Sequence, residues 1–333
     1  MADPILVVVC GLVTLAGVPG FLLYAGGRWR ANVSTVVALV LLWAVITTVC
    51  VVTEVLIAGF AVLIAACGIV LGTGVAVALS ERITPIRLRM ALAAGFSVLI
   101  FLPLSLIVFG GNGTWLYDVV GALDFGGAIP FTIGGGAFAL VLALLSGNRA
   151  SAERQLALRG AMLLAVAIVG AVVGFELRID DLTPAIALNA VMTPAVALLA
   201  AAGIERVMKG VNTREGLAAG VLAGAAASVA ACAYLETVSA LLLGLLVGSV
   251  AEVAFRGVSA AWRLATPLLI GGMTGLLFLG IFAIGPGFVY SGQPMLFLRQ
   301  AMVCGVALVY SGAVSVALLL PLRRVLRRAG AGR

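Results

Sequence analysis

Residues 122–147 read ALDFGGAIPFTIGGGAFALVLALLSG, and this stretch decides the fold. An acidic residue, a proline, a lone threonine and clustered glycines stand at the head of an otherwise unbroken apolar run. About 20 such residues span the roughly 30 Å of a bilayer's hydrocarbon core, so the stretch predicts a membrane helix with a polar, glycine-rich entry. The rest of the chain agrees. Of 333 residues, 63% are hydrophobic, 10% are charged and 42 are glycine, and the mean hydropathy is +1.26. No water-soluble domain of this length has that composition.

Eleven apolar runs follow one another at about 4–25, 33–52, 55–79, 90–110, 127–146, 158–177, 183–203, 216–235, 237–255, 264–284 and 295–321. The expected fold class is therefore an all-α integral membrane protein with eleven transmembrane helices. Lys and Arg collect in cytoplasmic loops. Placing the N-terminus outside puts all of the 20 basic residues inside except Arg178 and Arg299, which predicts a cytoplasmic C-terminus in a plasma-membrane protein. The formal charge of +7 then reports topology and contact with anionic lipid, and gives no reason to invoke nucleic acid. Asp3 sits where a secretory signal carries positive charge, so the first span reads as retained. Cys10, Cys50, Cys67, Cys232 and Cys304 show no pairing or ligand spacing and read as small core residues, with no metal and no cofactor.

Lipid gives helices no hydrophobic reason to associate, so close packing of small residues must hold them together. Glycines four apart occur at 170 and 174, at 216, 220 and 224, at 244 and 248, and at 271 and 275. One similarity reaches further. AIPFTIGG at 128–135 and ATPLLIGG at 265–272 share A-x-P-x-x-I-G-G, and the loop count makes the first segment descend and the second ascend. Such inverted repeats with matched interruptions point to a transporter whose path runs along the repeat interface.

Several motifs, in order and spacing, carry a family resemblance: VPGFLLYAGGRWRANV at 18–33, ALSERI at 78–83, LPLSLIVFGGNG at 102–113 followed by GALDFGG, NTREGLAAGVLAGAAASVAAC at 212–232 and GGMTGLLFLGIFA at 271–283. The chain resembles the ammonium transporter, methylammonium permease and Rhesus protein family through most of its length. The resemblance implies a single membrane domain over 1–333, with one five-helix repeat at about 4–146, an inverted one at about 158–284 and a last helix at about 295–321. It also implies a homotrimer with one path per subunit, in which a vestibule recruits ammonium, two phenylalanines gate it and two histidines line a narrow apolar pore.

Carried over residue by residue, the resemblance exposes departures. The chain has no histidine. Thr132 stands at the first histidine position, and Leu268 at the second, although the internal repeat pairs Thr132 with Leu269. Phe109 replaces the vestibule tryptophan, Ala219 the vestibule serine, and Leu63 and Cys67 fall at the gate phenylalanines. A histidine proton relay is excluded, because a threonine hydroxyl titrates far from neutral pH and leucine not at all. Cation binding at the mouth weakens without tryptophan, and the loss of two rings predicts a wider apolar constriction.

The charged residues each have two readings. Asp124 reads as a cap for the helix it precedes, or as a substrate contact. Pro130 is tolerated in the first turn, and Thr132 either bonds a preceding carbonyl or serves as a polar waypoint. Glu176, with Arg178, Asp180 and Asp181, forms a solvated rim or part of the vestibule, and Arg299 snorkels outward or pairs. No paired carboxylates or metal cluster support an enzyme. Two uses remain: passage of ammonia, ammonium or another small neutral or weakly basic solute, and a non-conducting sensor or binding protein on the same scaffold.

Overall fold

In the computed structural model the described residues are 2–24, 32–80, 82–83, 85–110, 115–146, 157–256, 264–323 and 326. Residues 25–31, Glu81, residues 111–114 and the basic tail beyond 326, which fall in quoted motifs or in the predicted lipid contact, lie outside them. The helices in chain order are α1 (Pro4–Tyr24), α2 (Val33–Val52), α3 (Ala58–Ser80), α4 (Ile86–Phe109) and α5 (Ile129–Ser146). They continue as α6 (Ala157–Gly174), α7 (Thr183–Lys209), α8 (Arg214–Ala231), α9 (Thr237–Arg256), α10 (Ala265–Phe282) and α11 (Met295–Leu319).

Among the described residues, nine of these helices are long and apolar enough to cross a membrane. The other two are α6, whose apolar part is Leu158–Gly174, and α8, which begins Arg214, Glu215 and is otherwise rich in alanine and glycine. Residues 218–231 of α8 are all buried. It packs against α6, α7, α9 and α10, so it meets protein where a peripheral helix meets lipid, and small residues replace large apolar ones. In contrast, α2 turns Val37, Leu41, Val45 and Val52 outward, where hydrocarbon takes the place of water.

The glycine pairs sit where helices touch. A Cβ on Gly248 would lie 2.2 Å from the Ala197 carbonyl, one on Gly275 2.4 Å from that of Ala227, and one on Gly224 2.6 Å from Cα of Pro194. These distances leave room for hydrogen alone, and they draw α7, α8, α9 and α10 together.

Interrupted helices find outside partners for the groups they release. Pro103 in α4 cannot donate to the Leu99 carbonyl one turn back. A π-helical turn over Ser97–Phe101 precedes it, and the Tyr310 hydroxyl of α11 donates to that carbonyl at 2.7 Å. In α7, Asn189 donates through Nδ2 to the carbonyls of Cys232 (2.9 Å) and Leu235 (2.8 Å), closing the open end of α8. At the opposite end of α8, Glu205 of α7 is wholly buried. It accepts from the Thr213 backbone (2.8 Å) and hydroxyl (2.6 Å) and pairs with Lys209 at 2.9 Å. Lys209 also reaches Glu252 of α9 at 3.4 Å, so three helix ends are tied by one ammonium and two carboxylates.

Candidate functional site

The stretch between α4 and α5 builds the site's outer part. Asp124 is buried, and its carboxylate accepts from the backbone N–H groups of Ala128 (2.6 Å) and Ile129 (2.8 Å), one through each oxygen. A helix start leaves such donors without intrahelical partners, and an aspartate in front of it satisfies them. Burial pushes this carboxyl up, to about 7, against the backbone donors of Ile129, Ala128 and Gly127, which pull it down. Gln300 of α11 holds the neighbouring Leu123 carbonyl through Nε2 at 2.8 Å. Gly126 donates to the Val229 carbonyl of α8 at 2.9 Å and has no space for a side chain, since a Cβ would sit 2.7 Å from that oxygen. Gly127 takes φ +80° beneath the rings of Phe109 and Phe131. Acid and glycines therefore serve one turn that enters between α8 and α11 with its polar groups satisfied.

Above this turn lies a mouth cavity of about 200 Å³, lined by Phe60, Phe109, Tyr117, Asp124, Phe175 and Tyr234 among others. Beneath it Phe109 and Phe175 stack face to face, with ring centroids 4.6 Å apart and planes 7° apart. Phe60 lies 5.3 Å from Phe109, and Phe131 lies 5.8 Å from Phe175. Leu63 and Cys67 of α3 do lack rings, but phenylalanines from neighbouring segments pack close to them, Phe131 beside Cys67 and Phe175 next to the Gly174 that Leu63 meets. The rings come from α3 one turn earlier, from the ends of α4 and α6, and from α5.

Below the rings is a chamber of about 60 Å³ between six helices. Thr14, Cys67, Phe131, Thr132, Leu222 and Leu268 are among its lining residues. Leu71 and Leu268 also line a smaller inner cavity of about 20 Å³ that reaches Phe96 and Phe138. The Thr132 hydroxyl donates to the Ala128 carbonyl at 2.7 Å, and the Thr14 hydroxyl to that of Cys10 at 2.8 Å. The first part of α5, Ile129–Gly134, is π-helical, and it presses Thr132 onto Gly272 of α10, where a Cβ would overlap Oγ1.

The structure thus brings Cys67, Thr132 and Leu268 to one chamber, and Phe109 and Asp124 to the mouth above it. Leu269 is turned away and packs on Gly136 of α5. Leu63 is fully buried against Gly174, one turn from Cys67 on the same face. Ala219 does not belong to the mouth. It lies near the start of α8, whereas the mouth turn meets Val229 and Ala230 near the other end, about 15 Å away at 1.5 Å per residue. Glu176 follows Phe175, and its two oxygens are buried without a hydrogen bond. Burial pushes its carboxyl above the usual range, while the exposed Arg178 pairs with the half-buried Asp180 at 3.0 Å. Arg299 is exposed and lies across Gly121, whose φ of +69° leaves no room for a Cβ beneath the guanidinium. Phe60, Phe131, Phe175 and Thr14 were not singled out in the sequence, because a phenylalanine or threonine in a membrane helix carries no mark of its partner on another.

All five cysteines are free and buried, and among the described residues no cluster of His, Cys, Asp and Glu could hold a metal.

Comparison with known proteins gives the same fold and a family. The sequence model of the Ammonium Transporter Family matches residues 19–329. An ammonium transporter of Mycobacterium tuberculosis is 27% identical over 237 residues, 64% of this chain and 50% of that one. Ammonium transporter Amt1 of Archaeoglobus fulgidus is 28% identical over 264 residues, 72% of this chain and 65% of that one. The chain spans about half the length of the mycobacterial relative it matches. The crystal structure of Candida albicans Mep2 superposes with a TM-score of 0.84 at 18% identity, covering 98% of this chain and 85% of that one. A structure described as a Sensor Amt Protein gives 0.80 at 20% identity, covering 96% and 93%; at such identities the likeness speaks for the fold. With the family model covering nearly the whole chain, this multi-pass, helical membrane protein belongs to the ammonium transporter family.

Proposed function

We propose that the chain passes a small solute in its neutral form, ammonia or another small neutral or weakly basic molecule, through an apolar path with no histidine proton relay. The observation that carries this reading is the chamber between Thr132 and Leu268, where the resemblance implies the histidine pair and where no group titrates near neutral pH. Asp124 above it is committed to backbone donors, and below the rings the lining offers an ion nothing to replace its water. The solute enters at the mouth, passes the ring layer when Phe109 and Phe175 part, and leaves past Leu268 along the inner cavity.

The same reading treats the chain as eleven spans, two inverted five-helix repeats and a final helix. Supporting it, counterparts pack on each other, α1 against α6 and α5 against α10, as a pseudo-twofold axis in the membrane plane requires. We place the protein in the plasma membrane with its N-terminus outside and its C-terminus in the cytoplasm, and expect a homotrimer.

One observation favours a second reading, a non-conducting sensor or binding protein. The Phe109 and Phe175 rings are in stacking contact, which closes the way between the mouth and the chamber while they stay together. Methylamine entry into proteoliposomes separates the two. On the transport reading it exceeds the empty-vesicle rate and falls to that rate in Leu268→Trp. If wild type and Leu268→Trp are alike, the path does not run through the chamber.

A further inference from the structure

Beside the ring layer, the turn from α6 to α7 buries a carboxyl group that neither helix capping nor conduction uses. Phe175, one of the stacked pair, is followed by Glu176, whose two side-chain oxygens are buried without a hydrogen bond. Leu177 then takes φ +63°, a left-handed conformation uncommon outside glycine. Its carbonyl accepts from the Asp3 backbone N–H of α1 at 2.6 Å. Its side chain lies over Gly59 of α3, the residue before Phe60, where a Cβ would come within 2.8 Å of it. The turn thus ties the mouth ends of α1, α3 and α6 together.

The charges around Glu176 decide when that tie holds. Asp180 accepts from the Leu182 N–H at 2.9 Å and from Arg178 Nε at 3.0 Å, and its own N–H donates to the Thr183 hydroxyl oxygen at 2.9 Å. Glu176 faces this group: burial pushes its carboxyl up, the Thr183 hydroxyl pulls it down, the Asp180 carboxylate pushes it up again and Arg178 pulls it down. From α1, the Asp3 carboxylate is committed to the Ile5 and Leu6 N–H groups. Near the end of α8 the neighbouring titratable group is the Cys232 thiol, neutral through the acid range, and Asp181 is exposed. One guanidinium therefore faces two carboxyl groups. With Glu176 protonated, Arg178 balances Asp180, and the Glu176 O–H can donate to the Asp180 carboxylate. With Glu176 ionised, a buried anion has no donor and stands beside a like charge.

We propose that this turn is a proton-operated latch: while Glu176 is protonated it stays closed on α1 and α3, and when Glu176 ionises it opens and lets the carboxylate reach water. The closed form holds the proton more tightly than the open form, whose carboxyl returns to the ordinary value of about 4.3. The latch is therefore closed in acid and loosens as pH rises through the raised value. It stands whether or not the path conducts.

Hydrogen–deuterium exchange of the full chain in lipid nanodiscs tests it, followed between about pH 4 and pH 8 in peptides covering residues 2–6 and 175–183 and corrected for the intrinsic pH dependence of amide exchange. In the wild type, protection falls in both peptides together, about tenfold per pH unit above roughly pH 4.3, and levels off once Glu176 is ionised in both forms. Glu176→Gln, uncharged and of nearly the same shape, stays protected across the range. Asp180→Asn removes the like charge, so its decline ends at a lower pH than in the wild type. If Glu176→Gln does not fold, the wild type and Asp180→Asn decide. A flat wild-type profile, a Glu176→Gln profile that declines with the wild type, or a decline in Asp180→Asn that runs to the same or a higher pH would each overturn the proposal. So would a pH response in residues 175–183 that the N-terminal peptide does not share.

Discussion

Replacing Asp124 separates a structural carboxylate from one that handles solute. Its two oxygens accept from two different backbone donors, at 2.6 and 2.8 Å, in a site with almost no solvent access. Asp124→Asn keeps one acceptor and turns an NH₂ toward the other N–H, so one bond is lost and a donor faces a donor, at about 1–3 kcal/mol. Asp124→Ala leaves both donors without partners and destabilises by about 2–5 kcal/mol, which places it in the upper range for single substitutions. For a chain of 333 residues the Asn change lowers the melting temperature by roughly 1–4 °C. Thermal unfolding in detergent, followed by tryptophan fluorescence, measures the shift, with methylamine flux recorded on the same preparations below the transition. The reasoning fails if Asp124→Ala melts with the wild type. Unchanged melting with lost flux would show that the carboxylate acts on the solute instead of the helix end.

Three further outcomes follow from the same geometry. The Asp124 carboxyl is raised to about 7 in the folded chain from about 3.9 when unfolded. The folded state therefore holds the proton more tightly, and its contribution to stability is full below about pH 4 and lost as pH rises through 7; from pH 5 to 8 the wild type should lose melting temperature relative to Asp124→Asn, and parallel profiles would contradict this. Gly275→Ala, which forces a Cβ to 2.4 Å from the Ala227 carbonyl, should destabilise by about 1–3 kcal/mol. Gly312→Ala, with nothing within 4 Å, should be neutral or slightly stabilising in the same detergent melt, and equal effects would refute the packing argument. Tyr310→Phe removes the only side-chain donor to the Leu99 carbonyl among the described residues and should destabilise by about 1 kcal/mol, but by less in a Pro103→Ala background, where the helix supplies its own N–H; a double-mutant cycle with no coupling would sink that pairing.

What the sequence could carry divides along physical lines. The membrane class follows from composition, and the roles of Asp124, Pro130 and Thr132 follow from local rules: an acid before a helix caps it, a proline is harmless in its first turn, and a helical threonine bonds the carbonyl four residues back. Small residues at four-residue spacing mark contacts because only close approach holds helices together in lipid. The rest depends on phase and partner. Leu268 and Leu269 differ by 100° around one helix, which decides that one faces the chamber and the other Gly136, and no pattern in so apolar a run fixes that angle. Ala219 lies on the helix that the mouth turn meets, but ten residues from the point of contact. The ring layer assembles phenylalanines from four helices, Tyr310 finds Leu99 across 211 residues, and nothing local announces either.

The central claim, a neutral-solute path without a proton relay, is tested most directly by recording methylammonium-driven internal pH change and membrane current together in proteoliposomes of the wild type. The account predicts entry above the empty-vesicle baseline, with internal alkalinisation and no current. A current that scales with methylammonium would contradict it, because charge would then be crossing a chamber in which the structure provides nothing to carry it.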